Sequence, residues 1–357
     1  MTRSIARRRG ATLAVLTAAA LALTACSGTA EPTPTPSTVY QDPTIEPDKQ
    51  PVPTPSVEAT WPLTGVAGDP VERPSLAVKV ENTSAARPQS GLEQADIVWE
   101  TIVEFQVSRF IAVFQSQVPE EVGPVRSVRP MDPVILEPTK GLLAFSGGQE
   151  GIVALAKASG LQLFSNDWGS PGMYRSSDRA APHNVYLTPQ TLWDNADANH
   201  SAAPGEQFLF ARSADKAAPA AGGSAAGTLT FNLSAAARPV WTWDAGTSTW
   251  LRSEGSSPAT ARSGDRLSAV NVVAIVAEHP NTKFPAQGGA RVPTYNLVGT
   301  GTGLIATGGK TIPVTWKKTA EDQPLRLFLA DGSPALLSPG NTWVELVPKE
   351  TGSFTVS

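Results

Sequence analysis

The chain has 357 residues, a formal net charge of -4 and a single cysteine, with 41% hydrophobic and 17% charged residues. An acidic chain of this size lacks the net basic surface that general nucleic-acid binding needs, so that class of protein is excluded. One cysteine permits neither an intramolecular disulfide nor a thiolate metal cluster, so the folded part must rest on its hydrophobic core.

The N-terminus has the order of an export signal, with basic residues before a short apolar run. The basic residues are Arg3, Arg7, Arg8 and Arg9. The apolar run over residues 11–23 is too short to cross a bilayer, which needs roughly 20 residues. It leads through Leu23-Thr24-Ala25 to Cys26. This sequence resembles the lipobox of bacterial lipoproteins.

The lipobox resemblance implies cleavage before Cys26, attachment of a diacylglycerol to its thiol and acylation of its amine, with palmitate as a typical acyl chain. We therefore predict a lipoprotein signal peptide over residues 1–25. The mature chain is then expected to be lipid-anchored at the outer, extracytoplasmic face of the cell membrane.

Residues 26–60 are predicted to form a tether. Prolines alternate there with Thr, Ser and Glu, so the segment has little to bury and favours extended backbone. These prolines are Pro32, Pro34, Pro36, Pro43, Pro47, Pro51, Pro53 and Pro55. A spacer between the membrane and a folded body is the expected role.

Residues 61–210 mix strand and helix patterns, which predicts an N-terminal α+β domain with a mixed sheet. Strands are predicted at 76–80, 95–103, 109–115 and 142–146. The strand at 109–115 is apolar on both faces and is expected to be central. Helices are predicted at 151–159 and from Thr188-Pro189, where Thr suits the N-cap and Pro the first turn.

The rest of the chain has a sequence pattern typical of β structure, which follows a predicted linker. Residues 211–227 are rich in Ala, Gly and Ser and are predicted as a linker or loop. Residues 228–357 predict a smaller, mostly-β domain of sandwich or barrel type. Its strands are expected at 228–234, 239–243, 249–252, 270–277, 294–298, 311–317, 325–329 and 342–347.

Three acids near the strand at 95–103 are candidate catalytic residues. Asp96, Glu100 and Glu104 would share one face of a continuous strand. Strand residues four apart are separated by about 13 Å, whereas the carboxyl groups of glycosidases lie roughly 5–10 Å apart. Each acid would therefore need a partner from elsewhere. Ion pairing with nearby arginines is the favoured alternative.

Arginines in glycine- and proline-bounded loops are candidate ligand-binding residues. Arg126 and Arg129 share the loop 123–130, Arg87 lies in the loop 86–91, and Arg109 begins the central strand. Guanidinium groups match carboxylates and phosphates with two parallel hydrogen bonds. The arginines predict an anion-binding site, with internal pairing to Glu81, Asp96, Glu100 or Glu104 as the alternative.

His183, followed by Asn184, is the third kind of candidate. A histidine beside amide and aromatic groups acts as a general base, as a polar ligand contact, or as a structural hydrogen-bonding group. The spacing of His183, His200 and His279 supports no metal site. No cofactor motif is found, so no cofactor is expected.

Seven motifs of the first domain are Pro62-Leu63-Thr64-Gly65, Ala77-Val78-Lys79-Val80-Glu81-Asn82, Ala86-Arg87-Pro88-Gln89-Ser90-Gly91-Leu92, Ala95-Asp96-Ile97-Val98-Trp99-Glu100, Ser108-Arg109-Phe110, Gly123-Pro124-Val125-Arg126-Ser127 and Pro182-His183-Asn184-Val185-Tyr186. They resemble those of the YerB-like lipoproteins, a bacterial family with two domains of unknown function. Looser matches in the second domain are Asn271-Val272-Val273, Val314-Thr315-Trp316 and Pro339-Gly340-Asn341-Thr342-Trp343. The resemblance implies an architecture and a location, but no activity.

Three functions stay open at this point. The first is a non-enzymatic binding or accessory protein of the cell envelope that recognises an anionic cell-wall polymer or peptide through its arginines. The second is an envelope hydrolase or transferase that uses His183 with Asp96, Glu100 or Glu104. The third is a structural partner of another exported protein, with the β domain as the interaction module. The lack of a catalytic motif favours binding over catalysis.

Overall fold

A computed structural model describes residues 58–357. The predicted signal peptide, Cys26 and all but the end of the tether lie outside these residues. None of the helices in residues 58–357 is long and apolar enough to cross a membrane.

The described chain is mostly strands, with a few short helices. The α-helices are α1 (Met131–Leu136), α2 (Glu150–Ala158), α3 (Pro189–Asp194) and α4 (Ala218–Gly222). The strands are β1 (Leu76–Glu81), β2 (Ile97–Ile102), β3 (Ser108–Phe114), β4 (Leu142–Phe145), β5 (Gln162–Ser165), β6 (Met173–Arg175), β7 (Val185–Leu187), β8 (Ser224–Ala225), β9 (Thr228–Asn232), β10 (Pro239–Asp244), β11 (Thr249–Glu254), β12 (Ser257–Pro258), β13 (Ser268–Ala269), β14 (Asn271–Ala277), β15 (Asn281–Pro285), β16 (Arg291–Pro293), β17 (Gly299–Thr307), β18 (Lys310–Lys318), β19 (Arg326–Phe328), β20 (Thr342–Pro348) and β21 (Ser353–Val356).

An eleven-stranded sheet forms the centre of the fold. Its order is β19-β18-β17-β14-β20-β2-β3-β1-β4-β5, and β8 pairs with β18. β3 is antiparallel to β1 and β2, whereas β4 is parallel to β1. Every residue of β3 is buried, as expected for a strand that is covered on both faces. The predicted central strand, the mixed sheet and the α+β class are confirmed.

The strands of residues 228–357 divide between the large sheet, a six-stranded sheet and the two-stranded sheet of β15 and β16. β9 to β13 and β21 form a six-stranded antiparallel sheet, whereas β14, β17, β18, β19 and β20 extend the large sheet. The mostly-β character is confirmed, but the expected self-contained sandwich or barrel is wrong. β14 and β20 are buried almost throughout, so they need neighbours on both faces and find them inside the large sheet.

Residues 294–298 form no strand, although a strand was expected there. Tyr295 and Leu297 are buried and their neighbours are not, which reproduces the alternation of a strand. The Tyr295 hydroxyl donates a hydrogen bond to Leu346 O at 3.0 Å, which fixes the segment against β20. Thr294 N and Asn296 N also donate to Pro280 O and Glu278 O, each at 3.0 Å, so the segment is held by two backbone hydrogen bonds although it is not a strand.

Both predicted helices are present as α2 and α3. Ile152 and Ala156 of α2 lie four residues apart and are buried together. Thr188 occupies the N-cap of α3 and Pro189 its first turn, where the missing amide proton costs nothing.

The segment 211–227 is more ordered than a plain linker. It holds a 3-10 turn over Ala214–Lys216, α4 and β8, and Ala217 and Ala218 are buried. The division into domains at 61–210 and 228–357 predicts two parts that behave independently in solution, whereas the pairing of β2 with β20 in one sheet favours a single unfolding unit.

We expect the folded body to unfold in a single transition. β2 and β20 are hydrogen-bonded neighbours in the middle of one sheet, so neither half can unfold and leave the other half of the sheet intact. Differential scanning calorimetry is the measurement. Two separate transitions would contradict this expectation, as would protease cleavage within 211–227 that releases two folded fragments.

Candidate functional site

A cavity of about 620 Å³ lies where β1 ends and β3 begins. The antiparallel register places Glu81, the last residue of β1, directly opposite Arg109. The charged and titratable side chains that line the cavity are Glu81, Glu104, Arg109, Arg126, Arg129 and His183. Three of the four predicted arginines and the predicted histidine therefore meet in one place. We call this space the arginine cavity.

Backbone hydrogen bonds fix the loop that carries two of these arginines. Val125 N donates to Val185 O at 2.7 Å, Arg126 N to Lys79 O at 2.8 Å, and Val128 N to Gly147 O at 3.0 Å. The loop thus follows the edge of β1 and is tied to β7 and to the turn after β4. The backbone of Arg126 is thus positioned by these hydrogen bonds, independently of the contacts of its side chain.

Arg129 is firmly paired inside the protein. Its Nε donates to Glu104 Oε2 at 2.7 Å, and its Nη2 bonds the other oxygen of the same carboxylate. Its backbone N donates to Asp132 Oδ2 at 2.7 Å. Asp132 also forms a fully buried ion pair with Lys79 at 2.7 Å. Burial lowers the pKa of Arg129 and of Lys79, to about 10 and about 8 respectively.

Arg109 and Arg126 are less completely neutralised. Arg109 Nη1 donates to Ser127 O at 2.9 Å, and Arg109 Nη2 lies 3.7 Å from Glu104 Oε1. Burial, followed by the neighbouring charge of Arg126, lowers the pKa of Arg109 to about 10. Arg126 Nε is buried, lies 3.4 Å from Glu81 Oε2 and makes no hydrogen bond within residues 58–357. Three guanidinium groups thus face two carboxylates in the arginine cavity.

His183 pairs with an acid that the sequence analysis did not select as catalytic. Its Nδ1 lies 2.9 Å from both carboxylate oxygens of Glu81. Glu81 is 1% exposed and also accepts a hydrogen bond from Thr83 Oγ1 at 2.7 Å. Glu81 was considered only as an internal partner of the arginines. Its position at the end of β1, opposite a buried arginine, was the available signal.

The three candidate catalytic acids lie in three different environments. β2 spans only Ile97–Ile102, so Asp96 and Glu104 lie beyond its ends and share no strand face with Glu100. Asp96 accepts hydrogen bonds from Gln115 N at 2.6 Å and Ser116 N at 2.8 Å. Burial raises the pKa of Asp96 in spite of these bonds.

Glu100 belongs to a buried ionic cluster around Arg252, which we call the Arg252 cluster. Arg252 Nη2 lies 2.6 Å from Glu100 and 2.9 Å from Glu254, and Nη1 lies 2.8 Å from Glu345. The guanidinium carbon lies 4.9–5.4 Å from the ring centroids of three aromatic side chains. These are Phe110, Trp241 and Trp343.

Two carboxyl groups of the Arg252 cluster have pKa values that are shifted in opposite directions. Burial and the charge of Glu100 raise the pKa of Glu345 well above its usual range. Burial opposes ionisation of Glu100 as well, but Arg252 outweighs it and lowers the pKa of Glu100. These opposite shifts favour a protonated Glu345 beside an ionised Glu100. Glu100 is placed by this network, outside the arginine cavity.

Arg87 and Asn184 also lie outside the arginine cavity. Arg87 Nε donates to Asn82 Oδ1 at 3.0 Å, and its Nη2 forms an ion pair with Glu254 at 3.1 Å. Asn184 accepts a hydrogen bond from Arg175 Nη1 at 2.9 Å. In this structure both side chains hold neighbouring loops together.

Apolar residues from distant parts of the chain complete the arginine cavity. Pro285, Ala286 and Val292 come from the β15–β16 hairpin of the second half, and Phe105 comes from the turn after β2. No local sequence signal pairs these segments with the arginines, because only the tertiary fold brings them together.

Comparison with known proteins assigns the chain to a family. Models described as the N-terminal and C-terminal domains of the "Protein of unknown function (DUF3048)" family match residues 63–203 and 229–344. "Putative lipoprotein YerB" of Bacillus subtilis (strain 168) is 29% identical over 294 residues, which cover 80% of this chain and 86% of the relative. The crystal structure of YerB from Bacillus subtilis superposes with a TM-score of 0.71 at 26% identity and covers 84% of this chain and 100% of that one.

These matches confirm the resemblance found in the sequence motifs. They also support the lipoprotein assignment that was made from the lipobox, whereas the acyl chains on Cys26 and the outer-face location stay predictions. Both halves of the described body are covered by the family's two domains. The chain therefore belongs to the DUF3048 family and is a YerB-like lipoprotein.

Proposed function

We propose that this lipoprotein is a binding protein of the cell envelope whose arginine cavity takes an anionic group. The excess of positive charge in the cavity carries this proposal. Three guanidinium groups line it with only two carboxylates, and Arg126 keeps a buried Nε without a hydrogen-bond partner in the described chain. An anion placed there would supply that partner and would relieve the repulsion between Arg109 and Arg126.

The lipid anchor and the tether fit such a role. A proline-rich spacer between membrane and body would let the cavity reach ligands of the envelope at some distance from the bilayer. A carboxylate of a peptide, or a carboxylate or phosphate of a wall polymer, has the chemistry that the guanidinium groups recognise.

Replacing Arg126 with alanine is expected to abolish anion binding without destabilising the protein. Arg126 Nη1 donates a hydrogen bond to Pro182 O at 3.3 Å and its Nε lies 3.4 Å from Glu81, but Arg109 repels its charge. These effects oppose one another, so we expect the free energy of unfolding to change by no more than about 1 kcal/mol. Inorganic phosphate should raise the melting temperature of the parent chain, because a ligand that binds only the folded state stabilises it. That shift should disappear in the Arg126→Ala variant.

Arg87→Ala is the matched control for this experiment. It removes the same charge outside the cavity and breaks contacts with Asn82 and Glu254, so it should lower the melting temperature and keep the phosphate shift. The proposal fails if the full chain in detergent shows no shift with phosphate, or if Arg126→Ala responds like the parent.

A second candidate function rests on the contact between His183 and Glu81. A buried carboxylate that accepts a hydrogen bond from Nδ1 orients an imidazole so that Nε2 can take up a proton, as in general-base catalysis. The acid of this pair would be Glu81 in place of Asp96, Glu100 or Glu104. The two functions differ in their need for His183: phosphate should still bind a His183→Gln variant, whereas turnover of a phosphate ester would be lost.

A further inference from the structure

A second cavity adjoins the arginine cavity and shares a wall with it. This second cavity has a volume of about 500 Å³. Glu104 and Phe105 line both cavities, and alternate residues of β16 face them: Val292 the arginine cavity, and Arg291 and Pro293 the second one. The turn after β2 and the strand β16 thus form a partition between two open spaces.

The second cavity is also positively charged. Arg238 and Arg291 line it, and both residues are exposed. Glu104 is the single carboxylate among its lining residues, and that carboxylate is already bonded to Arg129. Burial lowers the pKa of His279, whose ring also lies in the wall, so the arginines supply the charge there.

Phe105 lies on the partition, and its aromatic ring is exposed. It is 60% exposed, and its backbone has φ 62° and ψ 20°, in the left-handed region that bulky residues avoid. Gln106 follows with φ 60°. Two consecutive left-handed residues other than glycine cost folding free energy, and such strain persists where the surroundings enforce it, often at binding sites.

Contacts from the second half of the chain enforce this turn. Ser234 Oγ donates to Gln106 O at 2.5 Å, and Ala235 N donates to Gln106 Oε1 at 3.2 Å. Val103 N donates to Val107 O at 2.9 Å across its base. The fold therefore holds an apolar ring in solvent at the boundary of two positively charged cavities.

We propose that the ligand is an anionic oligosaccharide that spans both cavities, with one charged group in each and a sugar ring stacked on Phe105. This inference rests on the proposed anion binding and adds the length and the chemical class of the ligand. The exposed face of Phe105 offers apolar contact to the apolar face of a sugar ring. Arg126 and Arg109 take one anionic group, and Arg291 and Arg238 take another.

Galacturonic acid and its linear trimer are suitable probes, because they differ in length and carry one carboxylate per ring. Isothermal titration calorimetry of the full chain in detergent should show the trimer binding about tenfold tighter than the monomer or more, since the second contact is made within one complex. Tripolyphosphate carries negative charges but has no sugar ring, so its affinity should be the same with and without the Phe105 side chain.

Phe105→Gly is the decisive variant. Glycine adopts the left-handed backbone freely, so this variant should be at least as stable as the parent, yet the affinity for the trimer should fall to within about twofold of that for the monomer. Arg291→Ala should have the same effect on the trimer. Arg87→Ala, which changes a residue outside both cavities, should bind the trimer and the monomer as the parent does.

The outcomes separate the two proposals. If neither phosphate nor the monomer binds the parent chain, the proposed anion site fails and this inference fails with it. If the monomer binds and the trimer binds no tighter, only the inference is overturned. It is also overturned if Phe105→Gly binds the trimer as tightly as the parent does.

Discussion

Replacing Arg252 with methionine is expected to lower the free energy of unfolding by about 3–5 kcal/mol, the usual cost of breaking a buried ion pair on one side. Methionine keeps much of the side-chain volume between Phe110, Trp241 and Trp343, so little of this loss should come from a cavity. The loss arises because Glu100 keeps its charge in the interior without its cation, whereas Glu254 keeps its ion pair with Arg87. Urea denaturation at neutral pH measures it.

Glu345→Gln is the matched control, because its amide resembles the protonated carboxyl that burial and the charge of Glu100 favour at this position. An amide there can still donate to Glu100 and accept from Arg252 and Trp241. A carboxyl whose pKa is raised on folding contributes stability below its unfolded pKa, near 4.5, and loses it as the pH rises toward the folded value. The parent should therefore lose stability above about pH 4.5.

The Glu345→Gln variant should lose less stability over the same pH range and should be at least as stable as the parent at neutral pH. Equal pH dependence in the two proteins would show that Glu345 is ionised in the folded state. A loss of less than about 1 kcal/mol in Arg252→Met, typical of exposed ion pairs, would show that water reaches the Arg252 cluster.

Lys79→Met is expected to cost a similar amount, about 3–5 kcal/mol. It leaves Asp132 charged at a site where both side chains of the pair are 0% exposed. The effect should extend to the arginine cavity, because Asp132 also accepts the backbone N–H of Arg129. Phosphate binding should therefore weaken together with stability.

The double variant Lys79→Met with Asp132→Asn separates charge from packing. Asparagine is neutral and keeps an oxygen for the Arg129 amide, so most of the lost stability should return. If the double variant is less stable than Lys79→Met alone, the cost comes from lost hydrogen bonds and packing and the lone buried charge is not its cause. Chemical denaturation of the three proteins decides between these causes.

Local patterns in the sequence predicted eleven of the twenty-one strands and two of the four α-helices in residues 58–357. Apolar residues on both faces of the strand at 109–115 predicted its central position, and Thr188-Pro189 predicted the start of a helix. These signals come from residues that are close together in the sequence, so they do not depend on which elements pack against the strand or the helix. The partners of β14 and β20 depend on distant segments, and the sequence pattern of these strands says only that both faces are buried.

The site was predictable in its residue types and less so in its pairings. Arg109, Arg126, Arg129 and His183 do meet, because loops at one edge of the sheet converge. Glu100 was a reasonable catalytic candidate until Arg252, 152 residues away, was seen to hold it. The local sequence around a buried acid is the same whether the partner of its carboxylate in the fold is a substrate or an arginine from the other half of the chain.

The position of β20 has a consequence for how the chain acquires its structure during synthesis. Ile97 of β2 and Thr342 of β20 are partners in the centre of the large sheet, although synthesis separates them by most of the chain. The N-terminal residues are synthesised first, so one edge of β2 stays unpaired until β20, which is nearly the last strand, has been synthesised. Contacts between such distant residues slow folding. The nascent chain should therefore stay unfolded until it is almost complete, and deletion of β20 and the residues after it should leave no folded half behind.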